Sequence, residues 1–428
     1  MLSELKAFVL KLENEEKLFL HMNEVLNNQL NDIKSKYEIG LKIDSFLKSI
    51  SKVKDRAEKE RLLAEFQEHP VTEKRKMGDY FYVDFDSSDE IKTVYGIRFC
   101  KGVEYHLPDN ASSAYYQARV AIATLGEKSI VSSVQYFEEL FSSILRVLIL
   151  SNPNQYFANK TVSYKELMSS DIETIKQKTL DTEVDSLMHG VSNTIKYVNE
   201  KHDLRLSNYQ ALWDKYVEID KHRNIIIHNK GCVNEDYNSN VIEKYKNPVG
   251  TYIKCDKQTV HDSIYALIKF AYLLCYITGT TEGEFNELDS VAFDFLCKEN
   301  WELAEFAYSL LKKHKPAKHE FKINYEINYL NSVKHLKGLD SIRTQLNELD
   351  VSGMEERFSI AKNLLLENNE MVLEQLEESY PAEFDLYSIL SWPIFIEFRK
   401  SEEYKKFISW HSKDFARYEF GGDDTNES

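Results

Sequence analysis

The sequence predicts a mostly α-helical protein with several helical segments and one small antiparallel β-hairpin. Apolar residues recur at three- and four-residue spacing through most of the chain, which is the pattern of helices with one buried face. The 428 residues include only 7 prolines and 14 glycines, and this scarcity favours long helices over a turn-rich β fold. The length favours two or three domains over a single core.

Changes in composition divide the chain into a series of predicted parts. They are an N-terminal helical hairpin at 1–70, a small antiparallel β-hairpin or meander at 79–110, a helical domain at 112–280, a C-terminal helical repeat-like domain at 285–415 and a disordered polar tail at 416–428. The polar, glycine-flanked stretch 279–283 predicts the clearest boundary. The short helices after it are typical of helix pairs in a tetratricopeptide-type solenoid.

The N-terminal part is predicted as two helices that pack as a hairpin. The apolar spacing gives one helix at 2–36 and a second at 43–66, and Gly40 separates them. Such a hairpin is typical of a packing or dimerisation arm.

The next stretch changes from helical to β-type residues. The aromatic segment 80–85 and the segment 91–100 read as strands, and the turn-forming residues 86–89 lie between them. A third short strand at 103–107 would extend the hairpin to a meander. A sheet of this size has to pack on helices to be stable.

The remaining chain is predicted to be helical, beginning with a cap at Ser112 or Ser113. In the middle of the chain the apolar spacing gives helices at 113–125, 129–150, 163–179, 182–200, 207–229 and 259–277. Towards the C-terminus it gives shorter helices near 290–313, 318–336, 338–349, 354–366, 369–378 and 401–412.

Charge and motif content narrow the classes of function. The net charge of −16 argues against a general nucleic-acid binder but leaves room for a local basic site. None of the 5 cysteines forms a C-x-x-C pair, so neither a disulfide framework nor a zinc site is predicted. No glycine-rich phosphate loop occurs, and no cofactor is expected. The longest apolar stretch, 264–277, contains Lys269 and is shorter than a membrane span, so we expect a cytoplasmic protein without a membrane partner.

The residues best suited to catalysis lie near the end of the predicted helix 207–229, and Gly231 is predicted to stop this helix. Asn224 and His228 share a helix face, and Arg223 lies about 140° from His228 at 100° per residue. The aliphatic triplet 225–227 is predicted to anchor the helix in a core. A guanidinium beside a titratable imidazole suits phosphate chemistry. In the alternative reading, His228 only caps the helix end, and Arg223 pairs with a neighbouring acid on the surface.

Residues 129–280 resemble the HEPN superfamily of small all-α domains. The family signature is an arginine, four to six further residues and a histidine, often with a polar residue after the arginine. Here Arg223, Asn224 and His228 match it, and Asn229 and Gly231 follow the histidine as in a bacterial branch of the family. The resemblance implies an HEPN-like four-helix bundle with the motif on its third helix.

HEPN domains are commonly metal-independent ribonucleases that dimerise so that two motifs share one cleft. The resemblance therefore implies a homodimeric endoribonuclease with Arg223 and His228 as catalytic residues and Asn224 orienting the phosphate. The expected products carry a 2′,3′-cyclic phosphate and a 5′-hydroxyl. The family also implies phage defence or toxin-like growth arrest, and the acidic net charge suits a nuclease that is restrained until it is triggered.

Further residues are candidates for supporting roles, although each could equally be an ordinary surface or core residue. The accessory candidates for the cleft are His222, Asn229, Glu138 and Glu139. The candidates for an RNA path are Lys221, Lys230 and Arg146. The alternative function is a catalytically inactive HEPN module that dimerises or binds nucleotide within a protein-interaction scaffold. In either case the C-terminal helical domain is expected to bind an inhibitory or trigger protein.

Overall fold

The computed structural model describes residues 2–50, 52–53, 55–72, 75–76, 81–85, 94–99, 111–412 and 415. Most of these residues are helical, which confirms the mostly α fold class. The predicted turn 86–89, the predicted third strand 103–107 and the predicted tail 416–428 lie outside the described residues.

The helices follow one another along the described chain, and the short strands lie between α2 and α3. They are α1 Leu2–Ile50, α2 Arg56–Gln67, α3 Ala111–Ser151, α4 Pro153–Phe157, α5 Tyr164–Ser169, α6 Ile172–Met188, α7 Val191–His202, α8 Gln210–Asn229, α9 Glu235–Asn240, α10 Lys257–Thr278, α11 Glu282–Cys297, α12 Trp301–Leu311, α13 His319–Lys337, α14 Arg343–Glu348, α15 Glu356–Leu366, α16 Asn369–Ser379, α17 Leu386–Ser391 and α18 Glu402–Trp410. Short 3-10 turns are found at Leu206–Tyr209, Glu243–Tyr245, Leu339–Ser341, Pro393–Phe395 and Phe398–Lys400.

Short strands form two antiparallel pairs. The first pair joins β1, Pro70–Thr72, to β2, Arg75–Lys76. The second joins β3, Phe81–Phe85, to β4, Val94–Phe99. In the second pair Phe81 lies opposite Phe99, and the register shifts next to Phe85.

Helix α1 consists of two helical segments joined across a kink at Tyr37, with φ −130° and ψ 24°. The kink directly follows the predicted first helix, 2–36. Gly40, which was predicted to separate the two helices, lies inside the second segment instead. One glycine weakens a helix by only about 1 kcal/mol, and the buried side chains of Leu41 and Ile43 favour continuing it. The chain turns after Ile50, and α2 follows.

Helix α3 is also continuous where two helices, 113–125 and 129–150, were predicted. An ideal Cβ at Gly126 would overlap the carbonyl oxygen of Cys255, so the glycine allows a close approach between segments and does not end the helix. The predicted cap at Ser112 is wrong as well. Ser112 lies inside the first turn of α3, and its hydroxyl donates to the Asp44 carboxylate.

The chain forms two compact units. One comprises Met1–Asn14, Ile130–Ile253 and His261–Ser428, and the other comprises Glu15–Ser129 and Lys254–Val260. The predicted domain boundaries stay predictions. The stretch 279–283 connects α10 to α11 within the first unit.

Aromatic side chains from four helices meet in the core of the first unit. The Phe137 ring on α3 lies 6.3 Å from Phe8 on α1, 4.9 Å from Tyr216 on α8 and 5.7 Å from Phe270 on α10. Tyr216 and Phe270 stack at 4.7 Å. Helix α7 lies beside α8 because the Ser192 hydroxyl donates to the buried Asp220 carboxylate at 2.8 Å. This packing fixes the position of α8 in the core of the first unit.

Helix α10 is the one helix of the described residues that is long and apolar enough to cross a membrane. In its most apolar window, 67% of the residues are buried inside the protein. The core helix of a soluble protein passes the same test, so α10 carries no membrane assignment.

The predicted helix 290–313 is two helices. The turn at 298–300 separates α11 from α12, and Glu299 there has a left-handed φ of 55°. The Asn300 side chain caps α12 by accepting a hydrogen bond from the Leu303 amide. The later helices share one apolar core, to which α13 to α18 contribute Ile327, Leu346, Leu364, Leu376, Ile389 and Phe407.

A polar network crosses the interior between α11, α12 and α13. The Tyr308 hydroxyl donates to Asp289 Oδ1 at 3.1 Å, and Asn328 Nδ2 donates to the Tyr308 hydroxyl at 3.1 Å. Burial raises the pKa of Asp289 to about 6, although the Tyr308 hydrogen bond opposes this shift. The Asp289 carboxylate is therefore ionised at neutral pH against a desolvation penalty.

Candidate active site on helix α8

The end of α8 is formed as its sequence predicts. Helix α8 stops at Asn229, and both Lys230 and Gly231 adopt left-handed backbone, with φ 52° and 75°. The Gly231 amide donates to the Ile225 carbonyl at 2.9 Å, which satisfies one of the free carbonyls at the helix end. Asn229 Nδ2 donates to the Cys232 carbonyl at 2.6 Å. Asn229 therefore holds the turn after the helix.

The aliphatic triplet before this turn is only partly in the core. Ile225 is buried and Ile226 is half-buried, whereas Ile227 is 46% exposed. The prediction that all three anchor the helix is wrong for Ile227, because three consecutive helical residues span about 200°. Around the helix Ile227 lies between Arg223 and His228. An apolar side chain is thus exposed within the candidate catalytic face.

Arg223 sits at the edge of the core and contacts α3. Its Nη2 lies 3.6 Å from Glu138 Oε2, and its Nη1 donates to Asn224 Oδ1 at 3.0 Å. Its Nε is buried without a hydrogen-bond partner among the described residues. The Arg223 side chain is 26% exposed, so part of the guanidinium is accessible to a ligand.

Glu138 is a carboxylate in an unfavourable setting. Burial raises the pKa of Glu138, the Arg223 charge opposes the shift, and the Asp220 charge adds to it. Asp220 is itself buried on α8, and Lys221 Nζ lies 3.5 Å from its carboxylate. The Arg223–Glu138 pair is therefore sensitive to protonation of Glu138.

His228 lies in the last turn of α8 and is exposed. In the part of the chain that the structure describes, its ring makes neither a hydrogen bond nor an ion pair. Asn224, one turn earlier, is half-buried on the same face. Arg223, Asn224, Ile227 and His228 together form one accessible surface, named here the α8 face.

Two of the other accessory candidates lie away from the α8 face. His222 is only 1% exposed, and its Nδ1 lies 3.9 Å from Glu218 Oε1. Burial lowers the pKa of His222, so the ring is a core group. Glu139 is half-exposed and pairs with Lys11 of α1 at 2.7 Å. Of the acidic candidates, the structure brings Glu138 to Arg223 and not Glu139.

The candidates for an RNA path do not converge. Lys221 neighbours the buried Asp220, and Lys230 is exposed beyond the end of α8. Arg146 pairs with Asp181 of α6. It also follows Glu138 by eight residues on α3, about 12 Å at 1.5 Å per residue, and therefore lies well away from Arg223.

One group that the sequence reasoning missed is a cavity with three lysines in its wall, on another side of α8. Lys215, Lys244, Tyr245 and Lys269 line it together, and they come from α8, the turn Glu243–Tyr245 and α10. In the sequence, the lysine and tyrosine pair at 244–245 within a polar loop is the one local feature that points to this cavity. The convergence depends on packing between helices, which spacing along the chain does not show.

Among the described residues, no group of three or more histidine, cysteine, aspartate or glutamate side chains is placed to hold a metal ion. No protein-family model matches the chain, and neither a curated protein nor a solved structure matches it. The resemblance to HEPN domains therefore stays a prediction from the motif residues of the sequence.

Proposed function

We propose that this chain is a metal-independent endoribonuclease of HEPN type with an HEPN-like bundle, acting as a homodimer in phage defence or toxin-like growth arrest. The observation that carries the proposal is the α8 face. It presents an exposed imidazole and a partly exposed guanidinium from one helix, and these groups suit proton transfer and phosphate contact.

The arrangement favours a site shared between two chains. His228 follows Arg223 by five residues, so they differ by about 140° around the axis and about 7.5 Å along it. One chain offers one imidazole, whereas cleavage needs a base and an acid. The 46% exposed Ile227 lies between the two groups, where a second copy would cover it.

Within such a dimer the two His228 side chains supply both proton transfers of the cleavage reaction. One His228 takes the proton of the RNA 2′-hydroxyl as its oxygen attacks the adjacent phosphorus. His228 of the second copy gives a proton to the 5′-oxygen as the bond from phosphorus to that oxygen breaks. Arg223 donates hydrogen bonds to the phosphorane oxygens, and Asn224 orients the phosphate. The products are a 2′,3′-cyclic phosphate and a 5′-hydroxyl.

A second candidate is the catalytically inactive dimerisation or nucleotide-binding module. The ion pair between Arg223 and Glu138 favours it, because a paired guanidinium has to exchange its partner before it binds phosphate. In this case RNA or nucleotide would bind without being cleaved.

Cleavage of end-labelled single-stranded RNA in a chelator tests the proposal. We expect His228→Ala and Arg223→Ala to lose about 10²–10⁴-fold in rate, as for removal of an acid–base group. His189→Ala is the matched control, because His189 is an exposed histidine of the same unit beyond the end of α6. Wild-type activity that the chelator abolishes, or undiminished cleavage by His228→Ala, refutes the metal-free Arg–His mechanism.

Mixing wild type with His228→Ala tests the shared site separately. A heterodimer holds only one His228 and therefore lacks either the base or the acid, and random pairing makes about half of the dimers heterodimers. We expect a 1:1 mixture to cleave RNA at about a quarter of the rate of the same total amount of wild type, since about a quarter of the dimers are wild-type homodimers. A mixture that keeps about half of the rate contradicts a site built from two chains.

A further inference from the structure

A cavity in the second compact unit lies between α1 and α3. Its volume is about 990 Å³, at the upper end of the roughly 300–1,000 Å³ that small-molecule sites occupy. The first segment of α1 contributes Met22 and Leu26 to the wall, and the second segment contributes Lys48. Helix α3 contributes the side that extends from Ser112 to Lys128. All of these residues belong to the second unit, so the cavity is formed within one compact body.

Apolar side chains form the middle of this wall. Val120 is 65% exposed and Met22 is 38% exposed. Leu26, Ala121 and Leu125 are half-buried in the same wall. Covering apolar surface of this kind with an apolar molecule is favourable, because water is released from both. The middle of the cavity therefore favours an uncharged, apolar group.

Polar side chains at the Ser112 end of the wall bond to one another. Lys48 Nζ donates to Asp44 Oδ2 at 2.8 Å and to Ser112 Oγ at 3.2 Å. Gln117 Nε2 donates to Ser113 Oγ at 3.2 Å. The charge of Lys48 is thus balanced by a carboxylate of the wall itself, and this end offers a ligand no unmatched charge.

The opposite end of the wall carries an unmatched positive charge. Lys128 is exposed and makes no ion pair among the described residues. The three charged side chains of the wall are Asp44, Lys48 and Lys128. Because Asp44 and Lys48 form a pair, Lys128 leaves the wall with one net positive charge. A ligand with a single anionic end would match it.

The shape of the cavity restricts the ligand further. Ser112 and Lys128 lie about 24 Å apart along α3, at 1.5 Å per residue. Dividing the volume by this length gives a mean cross-section of about 40 Å². A peptide helix with its side chains has a cross-section of roughly 80–110 Å² and would not enter. The cavity is long and narrow, which is the shape of an extended alkyl chain.

We propose that this cavity binds a long-chain fatty acid, with the carboxylate at Lys128 and the alkyl chain along Leu125 and Val120 towards the Ser112 end. The carboxylate forms a charge-assisted hydrogen bond with the lysine, and the alkyl chain covers the apolar middle of the wall. The α8 face belongs to the first unit, so this site does not depend on the proposed nuclease function.

Displacement of a fluorescent fatty acid from the full chain tests the proposal. The probe is dansylaminoundecanoic acid, and the competitors are decanoate, dodecanoate and tetradecanoate below their micelle concentrations. We expect the affinity to rise about tenfold or more for each two added carbons, because burial of one CH₂ group strengthens binding about fourfold. The proposal is overturned if the probe does not bind or if the three acids bind equally.

Lys128→Glu tests the contact with the carboxylate. We expect dodecanoate to bind at least tenfold more weakly, whereas dodecanol, which has the same chain without the charge, stays within twofold of wild type. Lys34→Glu is the matched control, because Lys34 is an exposed lysine of the same unit outside the cavity; its dodecanoate affinity stays within twofold. Equal dodecanoate affinities of the two variants overturn the proposal.

Val120→Glu tests the apolar wall. We expect dodecanoate and dodecanol both to bind at least tenfold more weakly, with the circular dichroism spectrum unchanged because Val120 is exposed. Leu150→Glu is the control, since Leu150 is a 62% exposed residue of the same helix outside the cavity. If Val120→Glu binds both ligands as tightly as Leu150→Glu does, the alkyl chain does not lie in this cavity and the proposal is overturned.

Discussion

Replacing Asp289 by asparagine probes the interior polar network of α11, α12 and α13. The Asp289 carboxylate accepts a hydrogen bond from Tyr308, which in turn accepts one from Asn328. Asparagine keeps the shape and the acceptor oxygen but removes the charge. The substitution therefore separates the penalty of burying an ion from the packing of the site.

The magnitude follows from the pKa of Asp289. An ordinary value of 3.8 against about 6 in the folded protein corresponds to about 3 kcal/mol, at about 1.4 kcal/mol per tenfold change. Between about pH 4 and 6 the folded chain holds more protons than the unfolded chain, so the free energy of unfolding falls as pH rises. The amide of the variant does not titrate in this range. We expect Asp289→Asn to gain about 2 kcal/mol relative to wild type between pH 4 and pH 8.

Urea unfolding followed by circular dichroism at pH 4 and at pH 8 measures this difference. All other titrating groups are shared by the two chains and cancel in the comparison. Asp294→Asn on the same helix is the control, because Asp294 is exposed and its substitution changes stability by less than about 0.5 kcal/mol at either pH. If the stability difference between Asp289→Asn and wild type is the same at both pH values, the reasoning about the buried carboxylate is refuted.

Two further predictions concern the α8 face. Ile227→Glu places a charge where a second copy is proposed to pack, so light scattering should report a monomer and RNA cleavage should fall at least tenfold. The circular dichroism spectrum should stay unchanged. A dimer as stable as wild type would count against the interface. Glu138→Gln removes the carboxylate that pairs with Arg223, so RNA anisotropy in the His228→Ala background should show several-fold tighter binding at pH 7. The difference should shrink as pH falls, because Glu138 with its raised pKa becomes protonated; equal affinity at pH 7 argues against Arg223 as a phosphate ligand.

Local signals in the sequence were sufficient to predict the end of α8. Its apolar spacing and Gly231 placed the helix end within a residue or two, because capping depends on neighbouring residues only. The same spacing placed Asn224 and His228 on one face. Phe137 and Tyr216 belong to the predicted helices 129–150 and 207–229, and both are buried as the apolar spacing of these helices implies.

Helix ends that were predicted near glycines are wrong where contacts with distant segments determine the structure. Gly40 was predicted to separate two helices, and a break was predicted between 125 and 129, although both Gly40 and Gly126 lie in helical backbone. At Gly126 the reason is the nearby Cys255 backbone, which lies more than a hundred residues away in sequence. The cavity around Lys244 was missed for the same reason, since its lysines come from three separate elements.

The position of Glu138 has a consequence for how the α8 face would bind RNA. An ionised Glu138 competes with a phosphate for the Arg223 guanidinium, and the net charge of −16 further opposes RNA. Burial raises the pKa of Glu138, so its protonation requires less free energy than that of an exposed glutamate. An approaching phosphate, which adds negative charge next to Glu138, raises this pKa further. RNA binding at Arg223 is therefore expected to be coupled to proton uptake by Glu138. Ionised Glu138 opposes the binding of RNA, and the bound phosphate in turn favours the protonated form of Glu138.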